Sequence, residues 1–170
     1  MDIHVVGATG LIKDIDRFLE NIKELEDKNG VIIQVFDAEL VYGRDHILSA
    51  VLHAIRAMEE NRNTANSLNM EILLYASGER QLKYAIPKIG VKERSRGVVL
   101  VIISMKRKIL RDEVETVISN LGLHLDNSIL SGDVETLYRF GLKEEEIKTV
   151  PKHKYKDLIL ERVAMVDVIK

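Results

Sequence analysis

The chain has 170 residues, 46% of them apolar and 31% charged, with no cysteine and a net charge of −2 at pH 7. That is the profile of a soluble globular chain long enough for one core, residues 1–170 reading as a single domain, and it excludes disulfides and thiolate zinc sites. No apolar run reaches ~18 residues and residues 1–10 lack a basic n-region, so neither membrane span nor signal peptide is expected, and the expected location is cytoplasmic.

In chain order, residues 1–6 read as a first strand. Val5-Val6-Gly7-Ala8-Thr9-Gly10 then looks like the opening of a dinucleotide-binding turn. A helix follows with Ile15, Phe18, Leu19, Ile22 and Leu25 on one face, closed by Asn29-Gly30, and a strand over residues 31–36 ends at Asp37. The outline is βαβ, and it raises the alternative of a nucleotide-dependent, Rossmann-like oxidoreductase built on the Gly7–Gly10 turn. Against it, the third glycine of the fingerprint is replaced by Lys13, where a helix must pack closely on its strand. A plain strand-to-helix turn is the stronger reading.

Tyr42-Gly43 punctuates the chain, and Asp45 suits the N-cap of a helix with Ile47, Leu48, Val51, Ala54, Ile55 and Met58 as its apolar stripe. His46 and His53 are seven apart, whereas a metal pair on a helix favours four, so they read as ordinary surface or boundary histidines. Residues 61–69 form a polar loop. The stretch from Asn69 to Gly97 reads as a buried strand (70–76), a corner at Ser77-Gly78 with Ser77 as helix cap, and a short helix that buries Leu82, Ala85 and Ile86 and stops at Pro87 and Gly90. A strand over 98–103 returns to the core. Leu110, Val114, Val117, Ile118 and Leu121 fit a helix stopped by Gly122. Residues 129–133 read as a turn or short strand; Val134, Leu137 and Phe140 make a short helix, and 144–148 begin another. The closing segment, 155–170, is apolar on more than one face, with Ile159, Val163, Val166 and Val168 among its apolar residues. Two readings fit: a helix running into a buried edge strand, or a helix whose second face is covered by a partner.

Charge is unevenly placed. Between Arg80 and Arg111 stand ten basic residues and one acid, Glu93, a window charge of +9 against −11 for the remainder. Such a window can hold a phosphate backbone, unless a sheet separates its cations. Arg80, Lys83, Lys88, Arg94 and Arg96 are the candidate RNA contacts. Aromatics are scarce there, Tyr84 alone lying inside and Tyr75 just before, so phosphate contact is the safer expectation than base stacking. No catalytic set emerges: Ser77 sits in ASGE rather than a nucleophile elbow, no triphosphate loop is present, and Glu144, Glu145 and Glu146 are sequential and point apart. No enzymatic activity, cofactor or metal is expected.

The segments EILLYASGERQLKYAI and DHILSAVLHAIRA resemble the small accessory subunit of the KEOPS complex, the PRPK-binding protein (TPRKB) family. The likeness extends over most of the chain and is strongest from Asp45 to Gly90. It implies a non-catalytic subunit of the assembly that makes threonylcarbamoyladenosine in tRNA. It implies one direct partner, the kinase-like ATPase subunit, which it binds and stimulates; other KEOPS subunits are met indirectly. It also implies tRNA binding at the 3′ CCA end. The resemblance favours a partner over the second face of the C-terminal segment, with Ile159, Val163, Val166 and Val168 as the expected contacts. The fold expected is α/β, a small mixed sheet covered by several helices.

Overall fold

A computed structural model describes all of residues 1–170. In chain order the elements are β1 (Asp2–Thr9), α1 (Ile15–Asn29), β2 (Ile32–Asp37), α2 (Arg44–Glu59), α3 (Leu68–Ser77), α4 (Leu82–Ile89), β3 (Gly97–Ser104), α5 (Arg111–Asn120), β4 (His124–Leu125), α6 (Val134–Phe140), α7 (Glu144–Ile147) and α8 (Tyr155–Ile169), with short 3-10 turns at Ala38–Leu40, Asn127–Leu130 and Lys152–Lys154. They gather into two compact units, one of residues 1–38 and 91–130, the other of residues 39–90 and 131–170.

The first unit carries the whole sheet, in the order β2-β3-β1-β4. The expected α/β class holds, but every pairing is antiparallel, so the sheet is not mixed. The reason is topological: β1 and β2 run the same way, as a βαβ outline requires, but β3 is inserted between them and pairs with both. Val6, Ala8, Ile33, Val35, Val98, Leu100 and Ile102 line one face, where alternate residues must point together, and α1 and α5 cover it with Phe18, Ile22, Leu25, Val114, Val117 and Ile118. Burying each of those larger side chains contributes about 1.5–3 kcal/mol. β3 is buried along residues 98–104, which is why it reads as an unbroken apolar run. α1 ends as expected, Gly30 taking φ 63°.

The second unit is helical. The expected strand over 70–76 is instead part of α3, started by Ser67, whose side chain accepts from the N–H of Met70, and ended by Gly78 at φ 71°. Residues 71–77 are all buried. A helix enclosed on every side shows no apolar stripe, so periodicity could not separate it from a strand. Ser77 therefore caps nothing ahead of it: its hydroxyl donates back to the Leu74 carbonyl and accepts from the Glu79 N–H. α4 runs through Pro87, which removes only one donor near its end, and turns Ala85 and Ile89 inward while Ile86 is 48% exposed. α2 begins after Gly43 rather than at Asp45, which lies in its first turn and pairs with Lys156 at 2.7 Å. Residues 129–133, read as a turn or short strand, overlap the 3-10 turn Asn127–Leu130 instead. Leu137, Phe140, Leu142, Ile147 and Ile159 form a core in which α6, α7 and α8 meet.

Candidate functional site

The Gly7–Gly10 turn is taken up by the protein's own chain. Gly7 lies within β1; its N–H donates to Asn127 Oδ1 at 3.0 Å and its carbonyl accepts from Asp126 N–H at 2.9 Å. A Cβ there would stand 2.6 Å from both Asp126 O and Ile129 Cγ1, so glycine is needed for this close approach, not for a phosphate. Gly10 has φ 152° and a Cβ on it would meet Leu123 at 2.8 Å. At the N-terminus of α1, where a pyrophosphate would bind, Asp14 accepts from the Arg17 N–H at 3.1 Å and Asp16 follows in the first turn. The Asp14 carboxylate occupies an N–H that an anion would use, and Asp16 adds a second negative charge to the same turn. The dinucleotide alternative fails on this geometry.

The histidines are structural. His46 is fully buried, contrary to the surface reading: Nδ1 accepts from the Tyr42 N–H at 3.0 Å and Nε2 donates to the Ala76 carbonyl at 2.8 Å. Burial pushes its pKa down to about 4. His53 meets Asp167 at 2.8 Å and stacks on Tyr75 with ring centroids 5.5 Å apart. Asp167 also accepts from the Tyr75 hydroxyl. Burial opposes ionisation of Asp167, but the hydrogen bonds from Tyr75 and His53 outweigh it and hold its pKa below the ordinary carboxylate value. Beside them, Glu71 is wholly enclosed; it accepts from the N–H groups of Thr64 and Ala65 at 3.0 and 2.8 Å and pairs with Lys170. Lys170 also donates to the Arg62 carbonyl at 3.0 Å and lies over the Tyr75 ring. The polar loop is thus pinned to α3 and to the end of α8 by one buried carboxylate. No group of three metal-ligating side chains comes together.

The cations of the basic window divide between the units. In the helical unit, Arg80 and Lys83 are exposed and make no ion pair. Lys88 is engaged: its ammonium is 3.3 Å from Glu79, lies 4.0 Å from the Phe140 ring centroid, and burial depresses its pKa. It is the least available of the expected phosphate contacts. In the sheet unit, Lys92 pairs with Asp37 at 3.4 Å, Arg107 grips Glu113 with two bonds of 2.9 and 2.8 Å, and Arg111 pairs with Glu115. Arg94 and Arg96 are exposed and, together with Lys13 and Leu11, line a cleft of about 440 Å³. Lys13 and Leu11 were not legible as part of a site, because the loop that brings them there is set by contacts some eighty residues apart in sequence (Arg94 N–H to Ile12 O, 2.7 Å). Tyr84, 54% exposed, stands beside Lys83, whose Nζ is 5.0 Å from its ring centroid.

α8 is one continuous helix, with no edge strand after it. Three of the four expected partner contacts, Ile159, Val163 and Val166, are completely buried and belong to the core; only Val168, 73% exposed, is on the outside. The helix is nonetheless apolar on two sides, for Ala164, Met165 and Val168 form an outer stripe at helical spacing and Ile169 is 41% exposed. Sequence periodicity found the excess of apolar residues and misassigned its faces.

With these surfaces described, the chain can be compared with known families. The family model described as Kinase binding protein CGI-121 matches residues 12–167. The chain belongs to this CGI-121 family. It is 30% identical to the Regulatory protein Cgi121 of Methanocaldococcus jannaschii over 143 residues, which cover 83% of this chain and 87% of that protein. It is also 34% identical over 79 residues to the KEOPS complex subunit Cgi121 of Pyrococcus abyssi (46% of this chain, 44% of that one), and 26% identical over 93 residues to the EKC/KEOPS complex subunit CGI121 of Coccidioides immitis (55% and 42%). The CGI-121 match takes in the basic window and nearly all of α8. No helix is long and apolar enough to cross a membrane.

Proposed function

We propose that this chain is a non-catalytic, regulatory subunit of a KEOPS assembly for tRNA threonylcarbamoyladenosine modification, which binds and stimulates the kinase-like ATPase subunit and binds tRNA at its 3′ CCA end. The reading rests on CGI-121 family membership over residues 12–167. The outer stripe of α8 supports the docking half: Met165 and Val168 are large apolar side chains left in water on a helix already buried on its other side, and a partner that covers them gains their transfer free energy. The phosphate-binding half is supported by Arg80, Lys83, Arg94 and Arg96, which are exposed and not neutralised by carboxylates. Lys88 contributes less, since Glu79 and Phe140 already hold its ammonium.

The tRNA claim is tested by equilibrium binding of full-length and 3′-truncated tRNA across a salt series. Arg80→Glu with Lys83→Glu should weaken binding and lower the salt slope by about one per lost contact. Removing the single-stranded 3′ end should cost more affinity than exchanging the anticodon. Unchanged affinity in the folded double variant removes the helical-unit cations from the interface, and equal losses from the two tRNA changes remove end recognition.

A further inference from the structure

The loop between α4 and β3 is held in an unusual way. Arg94 takes φ 66°, a left-handed conformation rare for a side chain of that size. Nothing loose about the loop explains it. Arg94 N–H donates to Ile12 O at 2.7 Å, Gly10 N–H to Arg96 O at 3.0 Å, Ser95 N–H to Lys92 O at 3.1 Å, and Lys92 N–H to Ser95 Oγ at 3.1 Å. The first two bonds stitch residues 94–96 to residues 10–12, the other two close the turn over residues 92–95, and together they fix the backbone that carries Arg94 and Arg96 beside Lys13. Backbone strain that the surroundings enforce is commonly found where a ligand is held. Here it presents three cations to one cleft of about 440 Å³ whose lining contains no carboxylate, with the half-exposed Leu11 as its apolar wall.

Three cations around one cleft match more negative charge than one phosphodiester carries. We propose that the cleft of Leu11, Lys13, Arg94 and Arg96 is a phosphate-recognition site that takes adjacent phosphate groups, with Lys13 a required member. The two arginines supply planar donor pairs for phosphate oxygens and the lysine a compact charge. For the source of those phosphates the proposal rests on the tRNA-binding reading: consecutive phosphates of an RNA backbone fill the cleft, and a free polyphosphate offers the same chemistry. The residue that spoils a dinucleotide turn, Lys13, thus has a use of its own.

The experiment compares two probes, a short single-stranded RNA and inorganic tripolyphosphate, on the full chain at about 0.1 M salt. The variants are Lys13→Ala, Arg94→Gly and Arg96→Ala, with Lys108→Ala as a control that removes an exposed cation of the same unit outside the cleft. Each cleft variant should weaken both probes by about fivefold to tenfold and lower the salt slope for RNA by close to one, while the control changes neither to that extent. Arg94→Gly should also melt at no lower temperature than the parent, because glycine adopts φ 66° without strain. Tripolyphosphate binding that depends on the cleft, with no RNA binding at all, keeps the site, assigns it to free polyphosphate and overturns the RNA reading. RNA binding that all three variants leave at the control's level overturns the cleft and leaves the RNA reading to Arg80 and Lys83.

Discussion

At the scale of single residues, His46 shows how a polar group can be wholly structural. Both ring nitrogens are satisfied, by the Tyr42 N–H and the Ala76 carbonyl, and only the neutral ring fits that pattern, since Nδ1 must accept. Its pKa falls from the model-peptide value of 6.5 to about 4 in the folded chain. The unfolded chain therefore binds a proton that the folded chain refuses, so the contribution of His46 is complete above about pH 6.5 and is lost as pH falls toward 4. Urea unfolding at pH 7 and pH 5 should show a drop of roughly 2 kcal/mol from this group. His46→Gln, which can accept and donate at similar positions, should be less stable at pH 7 but lose much less between the two pH values. An equal loss in both proteins would assign the pH dependence elsewhere. The turn glycines teach the same lesson on a smaller scale: Gly7 and Gly10 resemble a nucleotide motif in sequence, and the close approach of residues 122–129 that explains them is a tertiary fact.

At the scale of elements, α1, α2, α5 and β3 were legible because each shows either one apolar stripe or an uninterrupted buried run. α3 was not, since enclosure on all sides erases the 3.6-residue signal that separates helix from strand. One residue did carry a hint: Glu71, a carboxylate inside an apolar stretch, has to be paired if buried, and it is paired with Lys170 and with two loop N–H groups. Removing one member of such a pair strands the other. Glu71→Gln or Lys170→Met alone should destabilise by about 3–5 kcal/mol, and the double variant by clearly less than the sum of the two. Additive losses in the cycle would show that the pair does not hold α8 to α3. α8 itself was recognised as doubly apolar from its composition, but which side faces inward is decided by packing against α2, α3 and α6, and no local pattern specifies that.

At the scale of the whole molecule, a net charge of −2 hides a basic window of +9, and the fold then divides that window rather than displaying it all at once. Arg107, Arg111, Lys92 and Lys88 spend their charge on carboxylates of the same chain, while Arg80, Lys83, Arg94 and Arg96 remain available. Sequence alone located the basic window and could not tell these two groups apart: only Arg111 meets its acid, Glu115, at the i,i+4 spacing of a helix, whereas Asp37, Glu79 and Glu113 reach Lys92, Lys88 and Arg107 through no simple register. The central proposal is that this CGI-121 family member binds a kinase-like partner through the outer face of α8. The most direct measurement is calorimetric titration of the kinase-like ATPase subunit encoded in the same genome with the full chain, with Val168→Arg and with Val163→Arg. Val168→Arg should keep the parental melting temperature and lose about tenfold to a hundredfold in affinity, since an exposed anchor worth about 1.5–3 kcal/mol on burial is replaced by a desolvated charge. Val163→Arg should unfold the helical unit, because Val163 is completely buried. A folded Val168→Arg protein that binds the partner as tightly as the parent would contradict docking through the outer face of α8.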